Sequence, residues 1–164
     1  MNNSALKQIL RGLYIIGARD GEWFCGCLVS DVFQGGETGL VVNLVRNSHT
    51  GECLKVGYNS KNNHSEFSIS VLPHDIDPMI ITNFDSQSIK DTEKWQTINY
   101  TLFNELPIVP NCCAYFHCKL EGAVGYSLFP QFPKHTIFHS KILASEVRRR
   151  EPMTYKYYLE NIKK

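Results

Sequence analysis

The sequence predicts a mainly β protein, folded as an antiparallel barrel with a few short helices and a C-terminal helix. Three observations support this fold class. Runs of β-prone residues follow one another along much of the 164-residue chain. Turn residues separate these runs, and the segments with helical character between them are short. Many strands in meander order with few short helices are typical of an antiparallel barrel.

The first half of the chain is dominated by strand signals. The β-prone runs 13–18 and 23–34 are separated by a segment that contains Asp20-Gly21. This step is a strong hairpin signal because both residues can adopt positive φ. A glycine-containing break at 35–39 follows. The remaining predicted strands are 40–45, 66–72, 112–120 and 135–147, of which 66–72 alternates with a period of two and is therefore expected to be half-buried.

The predicted helices are short. Residues 52–58 form the first, with Ser48 as a plausible N-cap and Gly57 as a plausible stop. The segment 85–106 is polar and is predicted to be irregular. The other predicted helices cover 75–84 and 152–163.

Composition limits the classes of function. The length is that of a single domain covering 1–164, and 43% hydrophobic with 20% charged residues is typical of a soluble globular protein. A net charge of +1 provides no overall field for nucleic acid or an anionic membrane, and the basic triplet at 148–150 is interpreted as a solvated loop. Residues 1–12 lack the organisation of a signal peptide, and no apolar stretch approaches the roughly 20 residues of a membrane span. We therefore expect a cytoplasmic protein.

Six cysteines are present, and none is part of a C-x-x-C pair. That spacing predicts no metal site, and a cytosolic domain of this size does not need disulfides. We expect free and mostly buried thiols at Cys25, Cys27, Cys53, Cys112, Cys113 and Cys118.

An apolar run ends abruptly at Arg46, and the polar residues Asn47, Ser48, His49 and Thr50 follow. Unpaired N–H groups and the dipole of a helix N-terminus favour negative charge, and an arginine adds a forked cation. This combination suits a phosphate monoester. Alternatively, Ser48 simply caps its helix while Arg46 pairs with a surface carboxylate, and the local residues taken alone favour that alternative.

Six short stretches resemble, in the correct order, motifs of one family. They are RGLY at 11–14, CGCLVSDVFQ at 25–34, VRNSHT at 45–50, FSISVL at 67–72, HTIF at 135–138 and EPMTYKYY at 151–158. With them the chain resembles the flavin reductase-like family, whose fold is an FMN-binding split β-barrel. Within that family it is most similar to the flavin domain of high-molecular-weight rubredoxins and of flavoredoxin-type proteins.

The resemblance implies a set of cofactor-binding residues. The isoalloxazine ring is expected against one strand, formed by Ser30, Asp31, Val32, Phe33 and Gln34. The FMN phosphate is expected at Arg46, Asn47, Ser48 and Thr50, with Lys90 or Lys94 either approaching it or closing over the site. For these two lysines a solvated charge run is an equal alternative. His135 matches the family's histidine near the nicotinamide side, and its alternative is a structural histidine at a strand start.

The implied function is that of an FMN-binding homodimer that oxidises NADH or NADPH. Hydride would pass to flavin N5, and electrons would pass on to free flavin or to a protein such as a rubredoxin or ferredoxin. The 164 residues contain no rubredoxin module, so we expect no built-in iron acceptor. Two alternatives stay open: an FMN-binding electron carrier without its own NAD(P)H activity, and a split-barrel interaction domain that has lost the cofactor.

The chain also departs from the family pattern. Ser30 and Asp31 stand where the family prefers asparagine and threonine, and a carboxylate close to the flavin would lower its reduction potential. The glycine-rich segment 35–39 predicts a looser loop beside the ring. Changes at 133–134 and 139–141, around His135, affect the expected nicotinamide side more than the FMN side.

Overall fold

A computed structural model describes residues 12–59, 65–124, 135–148 and 151–163. The strands are β1 (Tyr14–Asp20), β2 (Trp23–Val29), β3 (Val32–Gln34), β4 (Gly39–Val45), β5 (Glu66–Val71), β6 (Thr101–Phe103), β7 (Leu106–Ile108), β8 (Ala114–Val124) and β9 (His135–Val147). The helices are α1 (His49–Asn59), α2 (Pro78–Asp85), α3 (Asp91–Lys94) and α4 (Tyr155–Asn161), and a 3-10 turn covers Trp95–Thr97. The sequence interpretations that concern 1–11, 133–134 and 149–150 lie outside the described residues.

Seven strands form one antiparallel sheet in the order β2-β1-β5-β8-β9-β4-β3, and β6 pairs with β7 in a separate hairpin. The two end strands of the large sheet, β2 and β3, are joined by Ser30 and Asp31 alone. A linker of two residues spans only a few ångströms, so the sheet must curl until its ends are close. The Asn43 N–H donates to the Asp31 carbonyl at 2.9 Å, which ties this crossing to β4. The predicted mainly β, antiparallel barrel-like fold is therefore confirmed.

The predicted hairpin is confirmed, but its two central residues are Gly21 and Glu22, because Asp20 is the last residue of β1. Asp20 pairs with Trp23 across the turn, and Gly21 has a φ of 62°. The prediction of one continuous strand over 23–34 is wrong, because β2 pairs with β1 whereas β3 pairs with β4. The chain passes from one end of the curled sheet to the other at this point, which no local pattern indicates.

Helix α1 begins where its predicted cap places it but continues past its predicted end. The Ser48 hydroxyl accepts a hydrogen bond from the Gly51 N–H at 3.2 Å, which confirms the N-cap. Gly57 does not stop the helix, which runs on to Asn59. Its buried residues are Thr50, Gly51, Leu54 and Gly57, which form one stripe against the sheet. Packing of that stripe, rather than local propensity, decides the length of the helix.

The segment 85–106 is not irregular throughout, and this part of the prediction is wrong. It contains α3, the 3-10 turn and β6, and Trp95 attaches it to the sheet. The Trp95 side chain is 1% exposed, and its Nε1–H donates to the Cys25 carbonyl at 3.0 Å. Gly17 and Gly26 face each other across β1 and β2, and a Cβ at either would lie within 2.9 Å of the indole. The two glycines therefore make the space that the indole occupies.

Other boundaries differ by a few residues. Helix α2 begins at Pro78 because the Asp77 side chain caps it, accepting from the Met79 N–H at 2.9 Å. Strand β9 has the predicted bounds, whereas β8 is shifted towards the C-terminus and β7 was not predicted. The C-terminal helix is confirmed but is shorter than predicted. None of the helices in the described ranges has the length and apolarity needed to cross a lipid bilayer.

Two hydrophobic clusters lie in the described part of the chain. One includes Ile16, Leu54, Phe67 and Phe138 and joins α1 to the sheet. The other joins α2, the 3-10 turn and α4 to the sheet and includes Leu13, Phe84, Trp95, Tyr115 and Tyr158. All six cysteines lie in the described ranges and none of them forms a disulfide, as expected, and four of them are buried: Cys25, Cys112, Cys113 and Cys118.

Replacing Tyr158 with phenylalanine should destabilise the fold by about 1–2 kcal/mol, because a partly buried hydrogen bond to a carboxylate is lost. The Tyr158 hydroxyl donates to Asp85 Oδ2 at 2.8 Å, and the residue is 3% exposed. Burial and this bond raise the pKa of Tyr158 above its ordinary value of 10.0. The phenol therefore contributes stability that is fully present below pH 10 and is lost as the pH rises towards the folded-state pKa.

Urea unfolding at neutral pH and again above pH 10 measures both effects. The Tyr158→Phe variant should lose less stability on going to alkaline pH than the wild type does. Tyr155→Phe, on the same helix, is the control and should change neither quantity. Equal losses in the two variants would contradict the assignment of the effect to the bond with Asp85.

Candidate flavin site

A cavity of about 660 Å³ lies between the β1–β2 hairpin, the turn after β4 and the segment that leads into α3. This volume is in the range of roughly 300–1,000 Å³ that is usual for small-molecule sites. Its lining includes five of the residues expected to bind the cofactor, which come from two distant parts of the sequence: Arg46, Asn47, Ser48, Lys90 and Lys94. The fold therefore brings these two groups together.

The turn between β4 and α1 shapes one end of the cavity. Asn47 has a φ of 62°, in the left-handed region that asparagine tolerates better than most residues. The Ser48 N–H donates to the Val45 carbonyl at 3.0 Å and closes the turn. Arg46 and Asn47 are consequently exposed at the end of β4, next to the capped start of α1.

The first turn of α1 is neutralised by a carboxylate of the protein itself. Asp91 Oδ2 accepts from the Thr50 N–H at 3.3 Å and from the Thr50 hydroxyl at 2.9 Å. Thr50 is fully buried and is not among the residues that line the cavity. Asp91 therefore takes the position that a bound anion occupies at other helix N-termini. The sequence did not indicate this role for Asp91, because no local pattern predicts a contact between Asp91 and Thr50.

The two lysines expected near the phosphate have different environments. The Lys94 ammonium is buried at 4% exposure, 2.7 Å from Asp91 Oδ1, and donates to the Phe84 carbonyl at 3.2 Å. The Lys90 side chain is 79% exposed and lies 3.7 Å from Glu93. An exposed pair of this kind contributes little stability and exchanges partners readily. Lys90 can therefore reach a ligand, whereas Lys94 holds Asp91 in place.

One wall of the cavity is apolar. It is made by Leu28, Val45, Phe84 and Ile89, and Cys27 lies beside Leu28 on β2. Burial, and then the charge of Asp91, raise the pKa of Cys27 to about 12. At neutral pH this thiol is therefore protonated and packs as a small hydrophobic group. An apolar surface of this kind suits a flat ring. The charged residues of the lining are three cations and three carboxylates: Arg46, Lys90, Lys94, Asp20, Asp85 and Asp91.

The strand expected to contact the isoalloxazine ring, 30–34, lies beside this cavity rather than in its lining. Asp31 accepts from the Ser30 hydroxyl at 3.5 Å and from Asn43 Nδ2 at 3.4 Å. Asn43 Oδ1 is buried and has no hydrogen-bond partner among the described residues. Val32, Phe33 and Gln34 form the edge strand β3, in which Phe33 is 48% exposed.

His135 is the first residue of β9 and pairs with Val45, which lines the cavity. It is half-buried, and its strand is the neighbour of β4, the strand that leads into the turn containing Arg46. The structure thus places His135 close to the expected phosphate residues without making it part of the cavity lining.

A second group of polar side chains, missed by sequence reasoning, surrounds His49 at the edge of the cavity. His49 Nε2 lies 2.8 Å from Asp20 Oδ2 and 3.6 Å from Cys53 Sγ. Burial lowers the pKa of His49, but the bond to Asp20 and the neighbouring negative charges outweigh it and leave the pKa raised. A hydrogen bond from Cys25, aided by His49, lowers the pKa of Cys53, whereas the same bond and burial raise the pKa of Cys25.

Comparison with known proteins identifies the family. The sequence model described as flavin reductase like domain matches residues 7–162. The high molecular weight rubredoxin of Moorella thermoacetica is 30% identical over an alignment of 163 positions, which covers 96% of this chain and 66% of that protein. The chain therefore spans just under two thirds of the length of that relative.

Solved structures share the fold. The NADH:FAD oxidoreductase SgcE6 of Streptomyces globisporus C-1027, in complex with NAD and FAD fragments, matches with a TM-score of 0.75 at 14% identity, over 94% of this chain and 86% of that one. The styrene monooxygenase flavin reductase of Pseudomonas putida S12 matches with a TM-score of 0.74 at 19% identity, over 94% and 92%. At these identities the likeness shows the fold alone. The match of the family model to nearly the whole sequence shows that this chain belongs to the flavin reductase-like domain family.

Proposed function

We propose that the protein binds FMN in the cavity beside the β4–α1 turn and uses it as a flavin oxidoreductase. The observation that carries this proposal is that Arg46, Ser48 and Lys90 line the same cavity as a group of apolar side chains. A guanidinium, a hydroxyl and an ammonium suit a phosphate monoester, and an aliphatic and aromatic wall suits a flat ring.

The residues present fit the cofactor. Arg46, Asn47, Ser48 and Lys90 would hold the phosphate. Ser30 follows Leu28 by two residues, a distance of about 7 Å along a strand at roughly 3.3 Å per residue. The ring would then extend from the Leu28 wall towards the strand 30–34. The unpaired acceptor Asn43 Oδ1, next to Asp31, supports a hydrogen-bond donor of the ligand at that end.

The residues of the chain contribute binding and positioning. Arg46 and Lys90 would offset the two negative charges of the phosphate, while Asp91 and Lys94 keep the first turn of α1 in place. When bound, FMN supplies the hydride-accepting ring and the two-electron chemistry. The carboxylate of Asp31 near that ring would disfavour added negative charge and lower the reduction potential. The protein would then promote hydride transfer by holding the nicotinamide and the flavin in contact and correctly oriented, without supplying an acid or a base.

The proposed electron donor is NADH or NADPH, with His135 on the nicotinamide side, and the proposed assembly is a cytoplasmic homodimer. The acceptor would be free flavin or an iron protein such as a rubredoxin or ferredoxin. The relative from Moorella is by its name a rubredoxin, which supports a partner of that type. The names of the structural neighbours support a nicotinamide cosubstrate. An FMN-binding carrier without NAD(P)H activity is the second candidate, favoured by the departures around His135.

Replacing Arg46 with alanine should weaken FMN binding by about 10- to 100-fold, because a charge-assisted hydrogen bond contributes roughly 1.5–3 kcal/mol. Arg148→Ala is the matched control, since Arg148 does not line the cavity. Quenching of FMN fluorescence on titration with protein measures both affinities, and circular dichroism verifies that both variants fold. Unchanged affinity in folded Arg46→Ala protein would refute the assignment of the phosphate to this turn.

Anaerobic titration of the FMN-loaded protein with NADH and with NADPH separates the two candidate functions. Bleaching of the flavin absorbance by either nucleotide is expected for the reductase. A flavin that dithionite bleaches and both nucleotides leave oxidised would establish the carrier instead. If the protein binds no FMN at all, the cofactor proposal itself fails.

A further inference from the structure

We propose that Asp20, Cys25, His49 and Cys53 form a zinc site at the junction of the β1–β2 hairpin and α1. Cys25 Sγ, Cys53 Sγ and a ring nitrogen of His49 lie within 4.8 Å of one another, and Asp20 Oδ2 lies 2.8 Å from His49 Nε2. Two thiolates, an imidazole and a carboxylate are a ligand set that Zn²⁺ favours in proteins. The inference does not depend on flavin binding.

The secondary structure places all four side chains towards one point. Cys25 pairs with Ala18 across the hairpin, so their side chains share a face of the sheet, and Asp20 is two residues further along β1 on that same face. His49 and Cys53 are four residues apart on α1 and therefore lie on one side of the helix. Helix α1 packs against both β1 and β2, which brings the two pairs together.

The distances suit tetrahedral zinc. With Zn–S near 2.3 Å and Zn–N near 2.0–2.1 Å, a sulfur and a nitrogen bound to the same ion lie about 3.6 Å apart. His49 Nε2 and Cys53 Sγ are separated by 3.6 Å. Asp20 lies closer to His49 than it would as a co-ligand. Its side chain is 41% exposed at a hairpin end, so a small outward rotation is available.

Access and burial also fit a metal. Asp20 and His49 line the 660 Å³ cavity, so a hydrated cation can reach them from solvent. Cys25 is fully buried, and its thiol donates to the Ala18 carbonyl over a long distance of 3.7 Å. Binding of Zn²⁺ would release the two thiol protons to solvent and form two Zn–S bonds. With four protein ligands the site is closed, and its role is to fix the hairpin to the start of α1.

Metal content and the cobalt spectrum test the proposal. The full chain, free of any polyhistidine tag, is reduced, stripped with a chelator and titrated with Zn²⁺, and bound zinc is counted by mass spectrometry after gel filtration. One equivalent per chain is expected, with a raised Tm. Co²⁺ in its place should give thiolate charge-transfer bands and the strong visible bands of a tetrahedral site. Fully reduced protein that retains no zinc, or that binds Co²⁺ without charge-transfer bands, would overturn the proposal.

Variants locate the ligands. Cys53→Ala and His49→Ala change partly exposed side chains and should fold, and each should abolish stoichiometric zinc retention and the rise in Tm. Cys118→Ala removes a buried thiol of β8 outside the cluster and should retain one equivalent. Equal zinc retention by Cys53→Ala and by Cys118→Ala would refute the site. A protein that forms a Cys25–Cys53 disulfide when oxidised and binds no zinc when reduced would refute it as well.

Discussion

Replacing Asp91 with alanine is expected to destabilise the protein by about 3–5 kcal/mol, since it leaves a buried ammonium without its counter-ion. Lys94 is 5% exposed in its side chain and lies 2.7 Å from Asp91. The same change removes the acceptor of two hydrogen bonds from Thr50. Urea unfolding followed by circular dichroism measures the loss. The first turn of α1 should loosen, and FMN affinity should fall as well, because Ser48 and Arg46 lie beside that turn.

A double mutant tests whether this loss comes from the unpaired charge of Lys94. In Asp91→Asn/Lys94→Met the charge of both partners is removed while their sizes are kept, and this protein should recover most of the stability that Asp91→Ala loses. Glu93→Ala is the control, because its carboxylate is 54% exposed and pairs only loosely with Lys90. A small effect of Asp91→Ala, comparable to that of Glu93→Ala, would show that the buried pair does not hold this segment.

The Trp95→Ala variant should lose about 3–5 kcal/mol of stability, the range for truncating a buried aromatic side chain. Trp95 packs edge-on against Phe84 with 4.9 Å between ring centroids and bonds the Cys25 carbonyl. This bond joins the segment after α3 to β2, so the segment that contains Lys90 and Asp91 should lose part of its support against the sheet. FMN affinity is therefore expected to fall together with stability, even though the indole itself does not line the cavity.

Trp23→Ala is the matched control for this experiment. Trp23 is 61% exposed at the start of β2, so its truncation should cost less than about 1 kcal/mol and leave FMN binding unchanged. Thermal unfolding and the FMN titration, performed on both variants, separate the two tryptophans. Similar losses in the two variants would contradict the role of Trp95 as the attachment point.

Much of the fold could be predicted because its signals are local. The β1–β2 turn depends on the positive φ that Gly21 adopts, and Ser48 caps a helix that begins at the next residue. The alternation in 66–72 likewise predicted a strand, but its expected half-burial is wrong, because Ser68 and Ser70 on the polar side of the pattern are both 0% exposed. The turn at Arg46 and Asn47 could be singled out because its signal is also local. The resemblance then selected one split-barrel family among the antiparallel barrels, and the family match confirms it.

The rest depends on residues that are distant in sequence. Asp91 accepts a hydrogen bond from Thr50, which is 41 positions away in the sequence. Trp95 donates a hydrogen bond to the Cys25 carbonyl, which is 70 positions away. C-x-x-C spacing could not indicate the cluster around His49, because its members come from a hairpin and a helix that are distant in sequence.

By itself, the sequence determined most of the long strands, the β1–β2 turn and the exposed basic and polar residues that follow β4, because φ preferences and β-propensity act between neighbours. Only the tertiary structure decided which carboxylate binds the first turn of α1, which lysine remains exposed and which thiols lie next to each other. Those outcomes depend on how a curled sheet and its helices bring distant side chains within a few ångströms of each other.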